Sequence, residues 1–120
     1  MLLTTRVKLV LAETPTVGLP NVKVALFDQD IDDEDDPLGT GVTDAQGEFL
    51  FAYDSSLYTD AEDKDDWTIA SLPDLYVIAY DAQGQEVVNT REQTRRDKLP
   101  KLLTVPVSRA LAEAHGLLAG

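Results

Sequence analysis

Hydrophobic and polar residues alternate with a period of two in several segments of the chain, which is typical of β-strands that bury one face. The first segment, residues 5–11, alternates apolar side chains with Arg6 and Lys8. Further segments with the alternation or composition of strands cover residues 22–26, 38–43, 48–53, 75–80, 86–90 and 101–107. The pattern therefore predicts about seven strands.

The tetrapeptide Asp-Ala-Gln-Gly occurs twice, at residues 44–47 and at residues 81–84. In a tight turn, an Asp side chain accepts hydrogen bonds from the backbone and a Gly adopts a positive φ. We therefore predict one hairpin between the strands that flank residues 44–47, and a second hairpin around residues 81–84.

The C-terminal part of the chain carries signals for an edge strand and a short helix. Pro106 has no backbone N–H donor, which places it at a sheet edge or at a strand end. Ser108 is a suitable N-cap for a helix over residues 109–115, and Gly116 ends it. Together with the strands, these signals predict an all-β, antiparallel β-sandwich with a short C-terminal helix.

Length and composition exclude several classes of protein. A chain of 120 residues suits one domain, which we assign to residues 1–120. The chain has no Cys and a single His, His115, which excludes a disulfide framework, a multi-histidine metal site and a cysteine nucleophile. We expect His115 on the surface near the end of the helix, and we can pair no Ser with it as a nucleophile. No enzymatic activity is therefore expected.

Charge is distributed unevenly along the chain. It contains 22 acidic and 10 basic residues, for a net charge of -12, and residues 28–66 hold 15 of the acids with one base. This balance argues against binding nucleic acid, which requires clustered bases. No apolar stretch is long enough to cross a membrane and no targeting signal is visible, so we expect no membrane insertion. The compartment stays open, either cytoplasmic or part of a secreted or surface assembly.

Several runs of residues resemble the transthyretin-like or carboxypeptidase regulatory-like domains. They are Gly-Leu-Pro-Asn-Val-Lys-Val at 18–24, Leu-Gly at 38–39, Thr-Asp-Ala-Gln-Gly-Glu-Phe at 43–49 and Pro-Asp-Leu-Tyr-Val at 73–77, within a resemblance that spans residues 18–90. The resemblance implies a Greek-key, prealbumin-type sandwich. It also implies a spacer or docking unit of a larger bacterial protein, since such domains usually have that role. The hydroxyisourate hydrolase of the same superfold needs several His, which this chain lacks.

The acidic loop, residues 28–36, is the clearest candidate for a metal site. Ca²⁺ takes six to eight oxygen ligands, and closely spaced carboxylates in one loop can supply them. The candidate ligands are Asp28, Asp30, Asp32, Asp35 and Asp36. The alternative is a solvated loop without a metal ion, whose like charges repel one another in water.

Two other features are candidate binding sites. The basic strip, a candidate for docking a protein partner or a second copy of the chain, consists of Arg91, Arg95, Arg96, Lys98 and Lys101. Its alternative is a solvated connection before the last strand. Trp67 follows an acidic run and is a candidate for stacking on a sugar, whereas Phe49 and Phe51 are expected in the core. We therefore predict a non-catalytic protein-interaction or spacer module, with a calcium-dependent or a carbohydrate-binding module as alternatives.

Overall fold

A computed structural model of the chain describes residues 2–29, 35–54, 75–91 and 102–118. Within these ranges seven strands and one helix follow one another in the order β1 (Leu2–Leu11), β2 (Lys23–Asp28), β3 (Asp36–Val42), β4 (Glu48–Asp54), β5 (Leu75–Tyr80), β6 (Glu86–Asn89), β7 (Leu102–Val107) and α1 (Arg109–Ala114). The predicted strands and the C-terminal helix are therefore confirmed, and the helix ends one residue earlier than predicted.

The strands form two sheets that enclose a common core. One sheet has the order β4-β1-β7 and the other the order β3-β2-β5-β6. Neighbouring strands are antiparallel except for β1 and β7, which pair in parallel. A parallel pair needs a long crossover connection, and the chain from β2 to β6 provides it. The predicted all-β sandwich is confirmed, with one parallel pair in an otherwise antiparallel arrangement.

The strands on either side of residues 44–47 do not form the hairpin that we predicted. β3 pairs with β2 in the four-stranded sheet, whereas β4 pairs with β1 in the three-stranded sheet, so the turn carries the chain from one sheet to the other. Packing across the core explains this arrangement. Gly41 of β3 lies so close to the ring of Phe49 of β4 that a Cβ at residue 41 would be 2.3 Å from a ring atom. The second predicted hairpin, β5–β6, is confirmed.

The core is built from alternate residues of the strands, as the period-two pattern predicts. Val7 of β1 is fully buried, whereas its neighbour Arg6 is exposed. Phe51 is buried and Phe49 packs against the core, and their rings meet edge to face with centroids 4.8 Å apart. β7 lies at a sheet edge, which accommodates Pro106 as predicted.

Helix α1 is held against one end of the sandwich. The Ser108 hydroxyl accepts a hydrogen bond from the first turn at 3.2 Å, which confirms the predicted N-cap. The backbone N–H of Arg109 donates to both carboxylate oxygens of Glu13, in the loop after β1. Ala112 is fully buried in the core, and its carbonyl accepts from the N–H of Leu117 at 2.8 Å. In the described ranges, no helix is long and apolar enough to span a membrane.

Candidate functional site

A groove of about 530 Å³ lies where the segment after α1 meets the loop before β2. We call it the C-terminal groove, and it is lined by residues 17–21, 80–82 and 115–118 together with Lys23 and Val42. Ligand pockets in proteins usually have volumes of about 300–1,000 Å³, so a cavity of this size accommodates a small ligand or a few residues of a partner.

The lining of the C-terminal groove is largely aliphatic, and part of it is exposed. Val17 and Val42 are 41% and 54% exposed. Leu117 and Leu118 are half-buried and pack against the edge of the core. Exposed aliphatic side chains around a concave apolar surface are typical of a site that another molecule covers.

Thr43, just before the first Asp-Ala-Gln-Gly turn, holds the loop that forms one wall of the groove. Its buried hydroxyl donates to the carbonyl oxygen of Leu19 at 2.6 Å and accepts from the N–H of Val22 at 2.9 Å. Its own carbonyl accepts from the N–H of Asn21 at 3.0 Å, and its N–H donates to the carbonyl of Val22 at 2.9 Å. These hydrogen bonds fix the backbone of the wall in place.

Asp81, the first residue of the second Asp-Ala-Gln-Gly turn, forms the opposite wall with His115. Its Oδ1 accepts hydrogen bonds from the N–H groups of Gln83 and Gln85, each at 2.9 Å. Its Oδ2 lies 2.8 Å from Nδ1 of His115. The Asp81 side chain is 3% exposed and that of His115 is 20% exposed. The turn therefore presents a buried carboxylate to the imidazole ring.

The protonation of this pair follows from its hydrogen bonds. The hydrogen bond from His115 is the largest cause that lowers the pKa of Asp81, and the backbone N–H groups of Gln85 and Gln83 act in the same direction, against burial. An ionised carboxylate only accepts hydrogen bonds, so Nδ1 of His115 is the donor. Among the described residues Nε2 of His115 has no hydrogen-bond partner. The ring is thus fixed through Nδ1, and Nε2 is available to a ligand.

Lys23 and Tyr80 form the part of the rim that lies on the outer face of the four-stranded sheet. They are register partners in β2 and β5, and Nζ of Lys23 lies 5.5 Å from the centroid of the Tyr80 ring. This distance fits a cation–π contact. Lys23 forms no salt bridge with any other described residue. The rim therefore has a cation without a carboxylate partner in this part of the chain.

A second cluster, at the opposite end of the four-stranded sheet, joins the acidic loop to the basic strip. Nε and Nη2 of Arg91 donate to Oδ2 and Oδ1 of Asp35 at 2.8 and 3.3 Å. The Tyr76 hydroxyl donates to the same Oδ2 at 2.5 Å, and its ring stacks on Phe27 with centroids 5.2 Å apart. Asp35 precedes β3 and Arg91 follows β6, so this bidentate pair links the two edges of the sheet.

The hydrogen bonds to Asp35 change the pKa values of Tyr76 and Arg91. Burial, and after it the hydrogen bond to Asp35, raises the pKa of Tyr76 to about 12. The hydrogen bond to Asp35 also raises the pKa of Arg91. At neutral pH the phenol is therefore neutral and the guanidinium charged. Arg91, predicted as a docking residue, and Asp35, predicted as a calcium ligand, thus bind each other.

Asp28 and Asp36, also predicted as calcium ligands, lie beside each other where β2 pairs with β3. Burial raises the pKa of Tyr53, whose hydroxyl is hydrogen-bonded to Thr5 in the core, and the charge of the buried Asp28 acts in the same direction. Asp35, in contrast, lies with Tyr76 on the outer face of the sheet. Asp28 and Asp35 therefore act on different sides of the four-stranded sheet.

The remaining predicted site residues lie outside the described residues: Asp30, Asp32, Trp67, Arg95, Arg96, Lys98 and Lys101. Among the residues that are described, no group of three or more acidic or histidine side chains is placed to hold a metal ion. Calcium binding by the whole acidic loop, docking by the whole basic strip and sugar binding at Trp67 stay predictions.

Sequence reasoning missed the C-terminal groove and the hydrogen bond between Asp81 and His115. We expected His115 as a surface residue at the end of the helix, but its ring is mostly buried and bonded to Asp81. The repeated tetrapeptide identified Asp81 as a turn residue with a carboxylate that faces the backbone. It gave no signal for a partner 34 residues further along the chain.

No family model and no curated protein matches the chain. Among solved structures, a 9R-lipoxygenase from Cyanothece PCC8801 is similar, with a TM-score of 0.51 and 26% sequence identity. The match covers 88% of this chain and 17% of that chain. The likeness therefore concerns one part of a much longer protein, and the transthyretin-like resemblance stays a prediction.

Proposed function

We propose that this chain is a non-catalytic protein-interaction module of a larger protein, and that it binds its partner in the C-terminal groove. The observation that carries the proposal is the exposed aliphatic rim formed by Val17 and Val42 beside the groove. Removing apolar surface from water is favourable by about 25 cal/mol per Å². Covering this rim with apolar groups of a partner would therefore contribute directly to binding.

The similarity to a lipoxygenase supports a role as one part of a longer chain. The matched part is 17% of that chain, and it corresponds to most of the present one. The likeness by itself assigns no role, so the interaction function is argued from the groove.

The surroundings of His115 favour binding over catalysis at the groove. A Ser-His-Asp type of hydrolase needs a hydroxyl nucleophile hydrogen-bonded to the histidine nitrogen that faces away from the aspartate. Within the described part of the chain, Nε2 of His115 has no such partner. The Ser108 hydroxyl caps helix α1. Asp81 therefore orients a ring that is available to bind a ligand.

Selection from a phage library of random linear peptides, displayed with free C-termini, tests the proposal. We expect the selected peptides to be rich in aliphatic residues and to bind the wild-type chain. Val42→Glu, which places a charge in the apolar rim, should weaken their binding at least ten-fold. The matched control is Leu50→Glu, because Leu50 is 48% exposed on β4 and does not line the groove.

Two results would contradict the proposal. Peptides that bind Val42→Glu as tightly as the wild-type chain would locate the binding surface elsewhere. A library that yields no binder would favour the alternative role as a spacer. Circular dichroism of Val42→Glu must first show the wild-type spectrum, so that a loss of folding is not read as a loss of binding.

A further inference from the structure

We propose that the C-terminal groove binds the free C-terminus of a partner chain that ends in an aliphatic residue, and that Lys23 and His115 hold its carboxylate. This inference rests on the proposed function and specifies the ligand of the same site. It follows from the charges that line the groove, from the hydrogen bonds of His115 and from the mixture of polar and aliphatic groups in one small cavity.

The groove lacks the excess of acidic side chains that the chain as a whole carries. The chain has a net charge of -12, yet Asp81 is the only carboxylate among the described lining residues. The oxygens of Asp81 already accept hydrogen bonds from His115 and from two backbone N–H groups. Lys23 and His115 are the lining side chains that can carry a positive charge. An anionic group therefore meets Lys23 and the Nε2 side of His115 here, and no exposed acid among the described lining residues.

His115 is prepared to bind an acceptor such as a carboxylate. Its Nδ1 donates to Asp81, which fixes the ring and leaves Nε2 for the ligand. A ring that donates from both nitrogens is positively charged, so a carboxylate bound at Nε2 is held by a charge-assisted hydrogen bond.

The aliphatic lining defines the rest of the ligand. The groove of about 530 Å³ that Lys23 and His115 line is also lined by aliphatic side chains, those of Val17, Val42, Leu117 and Leu118. An occupant must therefore carry an aliphatic group within a few atoms of its negative charge. A C-terminal Val, Leu or Ile meets this requirement, because its side chain and its terminal carboxylate are attached to the same Cα. Capture of a chain terminus by convergent donors is an established mode of peptide recognition.

The test compares two synthetic peptides, acetyl-Ser-Gly-Val-Leu with a free carboxylate and the same peptide with a C-terminal amide. Their affinities are measured by titration of the ¹⁵N-labelled chain followed by NMR. We expect the free acid to bind at least ten-fold more tightly than the amide, since the amide removes the charge. The shifted resonances should belong to the groove.

Three variants separate the contributions. His115→Gln should remove most of the difference between acid and amide. Lys23→Gln should weaken the acid about three- to ten-fold while leaving the amide unchanged. The matched control is Lys8→Gln, because Lys8 lies on the other sheet and does not line the groove. Val42→Glu should weaken both peptides.

The outcomes distinguish this inference from the proposed function. Equal binding of acid and amide, both weakened by Val42→Glu, would overturn the carboxylate site and leave the interaction groove intact. Binding of neither peptide, with Val42-dependent binding of phage-selected peptides, would have the same meaning. Acid binding that is insensitive to both His115→Gln and Lys23→Gln would also overturn it. If neither experiment finds a ligand that depends on Val42, both proposals are wrong.

Discussion

Gly47 and Gly84 end the two copies of the Asp-Ala-Gln-Gly turn and have the same φ of 79°, but their surroundings differ sharply. A Cβ at residue 47 would lie 2.5 Å from the carbonyl oxygen of Leu9, 2.6 Å from the nitrogen of Leu19 and 2.9 Å from Cα of Gly18. A Cβ at residue 84 would have no atom within 4 Å. The same substitution at these two positions therefore separates backbone strain from steric conflict.

Replacing either glycine with alanine forces an L-residue into the left-handed region, which costs about 1–2 kcal/mol. At Gly84 this is the only cost, and it is partly offset because alanine restricts the unfolded chain by about 0.4–1 kcal/mol. At Gly47 the backbone must also move, which adds about 1–3 kcal/mol for overpacking. Movement there weakens the hydrogen bonds from Leu9 N to Gly47 O and from Leu19 N to Leu9 O, each worth about 1 kcal/mol. We expect a loss of about 1 kcal/mol for Gly84→Ala and about 3–5 kcal/mol for Gly47→Ala.

The free energy of unfolding of each variant is measured by urea denaturation and compared with that of the wild-type chain. In thermal unfolding, the expected losses correspond to decreases in Tm of about 4 °C for Gly84→Ala and about 12–20 °C for Gly47→Ala. Asparagine tolerates the left-handed region, so Gly84→Asn should be nearly neutral while Gly47→Asn stays destabilising. Equal losses at the two positions, within about 0.5 kcal/mol, would refute the steric argument.

Four other predictions follow from the hydrogen bonds and the charges. In ultraviolet titration Tyr76 should ionise at about pH 12. Asp35→Asn should lower the pKa of Tyr76 towards 10 without reaching it, because burial, the largest cause of the shift, remains. The stability that depends on the neutral phenol is present below about pH 10 and is lost as the pH rises towards 12. Because the pKa of Asp81 is lowered in the folded chain, its ionised form stabilises the fold at pH values above the ordinary pKa of 3.8. This contribution is lost as the pH falls through the lower pKa of the folded state. In Asp81→Asn the urea midpoint should therefore fall less steeply with decreasing pH than in the wild-type chain. Thr43→Val leaves two buried backbone groups without their hydroxyl partner and should cost about 2–4 kcal/mol, whereas Thr43→Ser should cost about 1 kcal/mol or less by calorimetry. If residues 28–36 bind Ca²⁺ with a dissociation constant of about 10 µM, about 1 mM Ca²⁺ should raise Tm by roughly 10 °C over EDTA, and an equal Tm with Mg²⁺ or without metal would contradict that hypothesis.

Local chemistry made several elements predictable from the sequence. The alternation around Val7 in β1 identified the strand and its buried face, because side chains of a strand point to opposite sides in turn. Ser108 identified the start of α1, because its hydroxyl supplies an acceptor to the first turn. The Asp and Gly of residues 44–47 and 81–84 identified both turns, since their side-chain acceptor and positive φ act within a few residues.

The candidate site was predictable only in fragments. Asp35 and Arg91 were both candidate residues, but as parts of different sites, and the ion pair between them spans 56 positions of the sequence. Asp81 was known as a turn residue, and His115 as a residue at the end of a helix. Neither position carried a signal for the other, because a hydrogen bond between distant residues depends on how the elements that bear them are packed.

The sequence by itself therefore determined the strands, the turns, the helix start and the acidic character of the chain, since each depends on interactions within a few residues or on composition alone. Tertiary structure decided that the turn at residues 44–47 passes between the sheets, that β1 and β7 pair in parallel, and that residues 17–21 and 115–118 enclose a groove. The same turn chemistry is compatible with a hairpin or a crossing. The choice depends on which arrangement buries the apolar faces of all strands together, and that sum is a property of the whole fold.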